Sequence, residues 1–270
     1  MEESQLRLIE ETGLGAIRKA SEVLKRYQDL EPKVVRQKSD NKDITTDVDL
    51  HIEKAITEAI KAKFPEHGFN AEEAGQFNKE AEFIWVIDPL DGTKNFYRGI
   101  PILATAISCK RKSQTLFAAI AIHYSNILIH GTRGKGVFRN GRAVRVSDTQ
   151  RLSDSFVYTL NPTPWAKHPP STERISENLK IFNKLTYACY RVRNFGSASI
   201  GLALTASGAF DAVVNLYGRG GIGDTEAGLF LVEEAGGRVS NLSGDPWTSK
   251  DEFYVASNGK LHDELLKVLN

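Results

Sequence analysis

The stretch WVIDPLDGTKNF, residues 85–96, runs from an apolar, strand-like pattern into two aspartates, a glycine and a threonine. Phe83 to Ile87 are apolar and β-favouring, which predicts a buried strand with Asp88 at its C-terminal end. Pro89 offers no N–H to a ladder and turns the chain out of the sheet, so Asp88 and Asp91 converge across a tight turn. Two hard oxygen donors then face one small volume, where a basic group, a shared proton or a divalent cation must offset their repulsion. The turn itself holds no Lys or Arg before Lys94. After Asp91, Gly92 and Thr93 open a turn or helix whose first backbone N–H groups are available to an anion. Metal-binding carboxylates beside an anion nest suit a phosphate ester bridged to cations. Taken alone, the same D-x-x-D-G-T pattern also reads as a solvated loop with an Asx turn.

Working outward, apolar residues recur at helical spacing over 6–27 and 52–60, the second run stopped by Pro65. Strand-like runs follow near 103–109, 115–122 and 126–132, and Asn140-Gly141 signals a type I′ hairpin. A proline-rich loop, NPTPWAKHPP at 161–170, marks a subdomain boundary or a lid. Beyond it come expected helices near 173–185, 198–207 and 224–235, with strands near 188–193, 211–215 and 253–257. The pattern by itself supports mixed α and β structure.

Composition narrows the function classes. With 35 basic and 34 acidic residues the formal charge is +1, so no global field draws the chain to nucleic acid or an anionic membrane. Cys109 and Cys189 are the two cysteines, without metal-ligand spacing, which fits reduced thiols and a cytoplasmic location. The acidic, amphipathic start MEESQLRLIEETG and the lack of a long apolar run read as a soluble, unprocessed chain. The six histidines show no helical ligand pair, so zinc is not indicated. The glycine-rich GTRGKGVFRNGR at 131–142 lacks the Gly-Lys-Ser/Thr of a phosphate-binding P-loop.

Two further acidic stretches support a metal site. Glu72 and Glu73 precede Gly75 in NAEEAG, and Asp224 opens an apolar helix in GIGDTEAGLFLVEEAGG, where it also reads as an N-cap. At this point a resemblance becomes specific: WVIDPLDGTKNF and GDTEAGLFLVEEAGG look like the two signatures of the inositol monophosphatase family, in family order. KSDNKDITTDVDLHIEKAI at 38–56, the Ala71-Glu72-Glu73 stretch, NFGSASIGLALTASGAFDAVVN and FYVASNGKLHDELLKVL extend the similarity over nearly the whole chain. The wording is closest in look to archaeal-type members that act on both inositol phosphates and fructose 1,6-bisphosphate.

The resemblance implies an α+β, layered α/β/α/β/α sugar-phosphatase fold with subdomains at 1–160 and 161–270. It implies a Mg2+-dependent phosphomonoesterase with two or three ions and a small phosphate ester as substrate. By family position, Glu72, Asp88 and the Leu90 carbonyl would hold one ion, Asp88, Asp91 and Asp224 a second, and Glu72 would share a third. Asp49 and Thr93 would orient the attacking water, with Glu72 also counted as catalytic, and Gly92 and Thr93 N–H groups would hold phosphate. Asp47 competes with Asp49 for the family position; spacing to Glu53 favours Asp49. Lys38 reads equally as a site lysine or a solvated one.

Departures gather on the substrate side. Asn215 stands where inositol-specific members carry a glutamate, and Gly223 where they carry a tryptophan. Ser197, Ala198, Asn215 and Arg219 are the substrate-side candidates. Arg219 suits a second phosphate or stays a solvated loop residue, and Ser197 doubles as a helix cap. Inositol 1-phosphate is the first expected substrate, with fructose 1,6-bisphosphate, histidinol phosphate and 3′-phosphoadenosine 5′-phosphate as alternatives. A noncatalytic sugar-phosphate-binding relative is the reading from another class. The resemblance further implies a homodimer, while the balanced charge leads us to expect no nucleic-acid or membrane partner.

Overall fold

The computed structural model describes residues 3–27, 34–39, 43–161, 171–218 and 222–270. The chain opens with helix α1 (Glu3–Lys25), an antiparallel pair β1 (Val34–Ser39) and β2 (Asp43–Thr46), and helix α2 (Asp47–Lys61). Next come β3 (Gly68–Ala71), β4 (Gly75–Phe77), β5 (Phe83–Asp91), the short α3 (Thr93–Tyr97), β6 (Ala104–Arg111), β7 (Gln114–Ile122), β8 (Ile127–Thr132), β9 (Val137–Arg139) and β10 (Arg142–Val144). They build an eight-stranded sheet in the order β10-β9-β8-β7-β6-β5-β3-β4. The remaining elements are β11 (Phe156–Leu160), α4 (Thr172–Ala188), β12 (Arg191–Arg193), α5 (Ala198–Ala206), β13 (Ala212–Asn215), α6 (Ile222–Glu234), β14 (Arg238–Ser240), β15 (Tyr254–Ser257) and α7 (His262–Leu269). Their five strands form a second sheet in the order β12-β11-β13-β15-β14.

Three apolar cores stack these elements into five layers. The first core joins α1 and α2 to one face of the large sheet through Ile17, Ile52, Ile56, Trp85 and Phe117. The second lies between the sheets, where α5 and α6 pack together through Leu202, Phe230 and Leu231. The third seats α4 and α7 on the outer face of the second sheet through Leu185, Val255 and Leu265. The α/β/α/β/α arrangement expected from the resemblance is therefore what forms. Helix α5 is apolar nearly all round because it is buried nearly all round. Gly228 lets α6 approach it: a Cβ there would lie 2.5 Å from Leu202 Cβ.

The Asn140-Gly141 hairpin is present, with φ of 48° and 78° at its two turn residues. One expectation changes. Strand β5 does not end at Asp88 but runs on to Asp91 with a bulge, because Asp88 pairs with Ala106 and Asp91 with Ala104. Strand β11, the last element of the first 160 residues, pairs in parallel with β12 and β13. The chain thus crosses from one sheet to the other between β10 and β11. Residues 162–170 of the proline-rich loop lie outside the described residues.

Candidate active site

Parallel pairing places the acidic residues. Strands β3 and β5 run side by side in the same direction, Ala71 opposite Ile87, so the residues that follow each strand emerge at one sheet edge. The Glu72 N–H donates to the Ile87 carbonyl at 3.1 Å, which brings Glu72 and Asp88 to neighbouring positions. Asp88 is buried, its Oδ1 accepting the Leu90 N–H at 3.0 Å across the bulge, while Glu72 stands exposed at the rim. Gly92 follows with φ of 103°, and a Cβ there would sit 2.9 Å from the Ile102 carbonyl oxygen. Only glycine turns the chain this tightly from β5 into α3.

Asp49 reaches the same edge from α2. It is 2% exposed and accepts the Thr46 N–H at 2.8 Å, the Thr46 hydroxyl, and the Thr93 hydroxyl at 3.0 Å on its other oxygen. The carboxylate of the third helical residue bonded to the N-cap N–H is half of a capping box, so one hydrogen bond both starts α2 and aims Asp49. Asp47, a half-buried first-turn residue, does not take that place. The Thr93 hydroxyl also lies 2.8 Å from the Leu90 carbonyl oxygen, bridging Asp49 and the bulged turn. Burial pushes the Asp49 carboxyl up to about 6, against the hydrogen bonds from Thr46 and Thr93 that favour its ionised form.

Asp91 faces the second half of the chain. Its Oδ2 accepts the Ser197 hydroxyl at 2.8 Å and the Ser199 N–H at 2.7 Å, at the N-terminus of α5. Burial raises its pKa against these bonds, and the charge of Glu72 raises it further. Ser197 is buried and also caps Ile200 N–H, with Ala198 between the two serines as the first residue of α5. Asn215 is buried at the end of β13. Its amide donates to the Gly218 and Glu252 carbonyls at 3.0 and 3.4 Å and accepts from Tyr217 N–H, tying down the 215–218 loop.

Helix α6 begins against the acidic turn. A Cβ on Gly223 would lie 3.0 Å from both the N and Cβ of Asp88, so this backbone leaves no room for a large side chain here without displacing Asp88. Asp224 is the next residue, with its backbone in α6 and its side chain outside the described atoms. Arg219 lies outside the described residues, and Lys38 is described only through the backbone of β1.

Several site residues escaped the sequence reading. The buried Glu53 carboxylate accepts the Glu73 and Ala74 N–H groups, both at 2.8 Å, and so fixes the loop that carries Glu72. Thr45 donates to Glu73 Oε2 at 2.8 Å. The Tyr158 hydroxyl donates to the Ser197 carbonyl at 2.7 Å and accepts the Phe195 N–H at 3.0 Å, holding the turn that delivers Ser197 to Asp91. Glu53 alone left a signal, its spacing from Asp49. The others are hydroxyls in ordinary strand patterns.

The donor set suits a hard divalent cation. The carboxylates act on one another: Glu73 raises Asp49, Glu72 raises Asp91, and both raise Glu53 after burial has done so. A cation with oxygen ligands neutralises that repulsion. Among the described residues no group of three or more His, Cys, Asp or Glu side chains is placed to hold a metal ion; the Asp224 side chain lies outside them.

Comparison with known proteins follows the same outline. The profile of the inositol monophosphatase family matches residues 5–270. A protein of Aquifex aeolicus named fructose-1,6-bisphosphatase/inositol-1-monophosphatase is 34% identical over 84% of this chain and 82% of its own. The Nus factor SuhB of Pseudomonas aeruginosa is 32% identical over 95% of this chain and 93% of its own. The solved inositol monophosphatase of Anabaena (Nostoc) superposes with a TM-score of 0.83 at 30% identity, covering 98% of this chain and 96% of that one.

Proposed function

The chain belongs to the inositol monophosphatase family of generally metal-dependent phosphatases, and from that premise we propose that it hydrolyses a small sugar or polyol phosphate, inositol 1-phosphate first, with Mg2+. The observation that carries this reading is the Thr93 hydroxyl, held between the Asp49 carboxylate and the bulged Asp88–Asp91 turn.

We assign Glu72, Asp88 and the Leu90 carbonyl to one ion, Asp88, Asp91 and Asp224 to a second, and a share of Glu72 to a third. When bound, Mg2+ supplies positive charge to the phosphate oxygens and acidifies water for attack in line with the leaving oxygen. The chain's own residues then move the proton. As the Thr93 hydroxyl donates to Asp49, its lone pairs accept a proton from a water placed above it. An Asp49 carboxyl near 6 is ionised at neutral pH yet basic enough to receive that proton through Thr93. Gly92 and Thr93 N–H groups orient the phosphate. Ser197, Ala198 and Asn215 border the sugar side, and Arg219 is assigned to a second phosphate, the contact that fructose 1,6-bisphosphate would use.

The reading includes halves at 1–160 and 161–270 with the site between them, and a homodimer in the cytoplasm without nucleic-acid or membrane partners. Cys109 and Cys189 are free and buried, in keeping with a reducing compartment. Among the described residues no helix is long and apolar enough to cross a membrane.

The test is phosphate release from inositol 1-phosphate, fructose 1,6-bisphosphate, histidinol phosphate and 3′-phosphoadenosine 5′-phosphate, with Mg2+ and with EDTA. Mg2+-dependent release, fastest from inositol 1-phosphate, is expected. A ranking led by fructose 1,6-bisphosphate overturns the substrate assignment, and release that persists in EDTA overturns the metal assignment. Light scattering at a single protomer mass removes the dimer.

A further inference from the structure

The bulge in β5 leaves a backbone group that the sheet ladder cannot serve. Pro89 and Leu90 together stand opposite the single residue Thr105, because Asp88 pairs with Ala106 and Asp91 with Ala104. Proline has no N–H, so its carbonyl is the polar group at this position that needs a partner. Thr105, fully buried on β6, donates its hydroxyl to the Pro89 carbonyl at 2.7 Å. His123, buried just beyond β7, places Nε2 2.8 Å from the same hydroxyl oxygen. The hydroxyl has one proton and Pro89 receives it, so the His123 contact requires a proton on Nε2. Burial pushes the His123 pKa down to about 4, which keeps the ring neutral with Nε2–H as the donor. The His123 backbone N–H meanwhile donates to the Leu103 carbonyl at 3.1 Å, so side chain and backbone grip β6 on either side of Ala104.

We propose that Thr105 and His123 form a positioning clamp that fixes the Pro89 carbonyl and thereby the spacing of Asp88, Leu90 and Asp91 for cation binding. The proposal rests on the phosphatase reading of that turn. The relay runs from His123 Nε2–H to Thr105 and from Thr105 to Pro89, the residue between Asp88 and Leu90, both of which were assigned to an ion. Neither Thr105 nor His123 is among the residues assigned to the ions, the water or the phosphate. The ladder pairs Asp88 and Asp91 with β6, and the clamp holds the Pro89 carbonyl between them.

Thr105→Val keeps the shape and removes the hydroxyl; Thr105→Ser keeps the hydroxyl. His123→Phe removes only the outer donor. Two measurements separate the clamp from the function. In metal-free protein, amide exchange by mass spectrometry should quicken in peptides spanning 88–92 for Thr105→Val, stay unchanged in peptides from β7 and β8, and return to the wild-type rate for Thr105→Ser. In Mg2+ titrations by calorimetry, Thr105→Val should weaken affinity about tenfold, and His123→Phe by less in the same direction. Activity of Thr105→Val should recover at saturating Mg2+, a split that a general loss of stability would not give. Unchanged exchange at 88–92 overturns the clamp whatever the activity. Quickened exchange with wild-type Mg2+ affinity overturns its role in cation binding. Wild-type protein that neither binds Mg2+ nor releases phosphate defeats the function reading instead, and the exchange arm still decides the clamp.

Discussion

The two sheets contribute unlike chemistry to the same turn. From the first sheet and its covering helix come carboxylates: Glu72 after β3, Asp88 and Asp91 in β5, Asp49 from α2. The second sheet and its connections present neutral donors, namely the Ser197 hydroxyl and Ser199 N–H on Asp91, with Tyr158 holding the turn behind them. Asn95 on α3 ties the halves, donating to the Ile102 and Phe195 carbonyls at 2.9 and 2.8 Å. Among the described side chains, charge is thus concentrated on one side and oriented from the other. A buried carboxylate cluster without a cation strains the side that carries it, and donors from the opposite side lessen that strain.

The largest effect that would break this contrast is expected from Asp88→Asn. Turnover should fall by about a thousandfold or more, with the melting temperature of the metal-free protein unchanged or raised because a buried charge is relieved. Activity assays at saturating Mg2+ paired with thermal melting check this, and wild-type turnover would remove Asp88 from the ligand set. Next comes Glu53→Ala, which leaves the Glu73 and Ala74 N–H groups without their carboxylate. Mg2+ affinity should drop about tenfold by calorimetry, since the loop carrying Glu72 loses its anchor. Tyr158→Phe, on the neutral side, should cost about 1–3 kcal/mol of stability in denaturant titration, the usual penalty for buried N–H groups stripped of an acceptor. Its effect on Mg2+ affinity should be smaller than that of Glu53→Ala. The reverse order would mean that the second sheet, not the first, governs the cation site.

The two regions should also respond to pH with opposite sign. Asp49 has a folded pKa near 6, above the unfolded value of 3.8, so the fold binds its proton more tightly. Its contribution therefore becomes more favourable as pH falls from about 6 to 4. In the second half, His262 is fully buried with Nε2 2.8 Å from Ser240 Oγ and Nδ1 2.9 Å from Ser257 Oγ. Burial lowers its pKa from 6.5 to about 4, Arg238 adding to the effect and Asp263 opposing it. Its stabilisation is complete above pH 6.5 and is lost as pH falls toward 4, by at most on the order of 3 kcal/mol. Melting of metal-free Asp49→Asn and His262→Gln proteins across that window should show the variants diverging from wild type in opposite directions. Parallel pH profiles would erase the distinction.

Much of the acidic side was legible because its signals are local. A strand pattern ending in Asp-Pro-Leu-Asp-Gly-Thr encodes both the turn and its donors within a dozen residues, and the helices near 198–207 and 224–235 announce themselves through glycine and apolar runs. The neutral side left fainter marks. Strand β11 has five residues and no flanking turn signature, so Tyr158 gave no hint that its hydroxyl would meet residues 195 and 197. The bulge at Asp88 and Asp91 was likewise hidden, since proline predicts an exit from the sheet and only pairing with β6 shows that the strand continues.

By itself, the sequence determined which chemical groups this protein owns and the local geometry of the turn that carries two of them, because backbone restriction by proline and glycine acts within a few residues. Only the tertiary structure decided what those groups face. The parallel pairing of β3 with β5 brings Glu72 beside Asp88, and the packing of α5 and α6 between the sheets sets Ser199 on Asp91 and Gly223 against Asp88. Such neighbours are separated by many residues in the chain, and the burial of shared apolar surface, which has no local signature, is what brings them together.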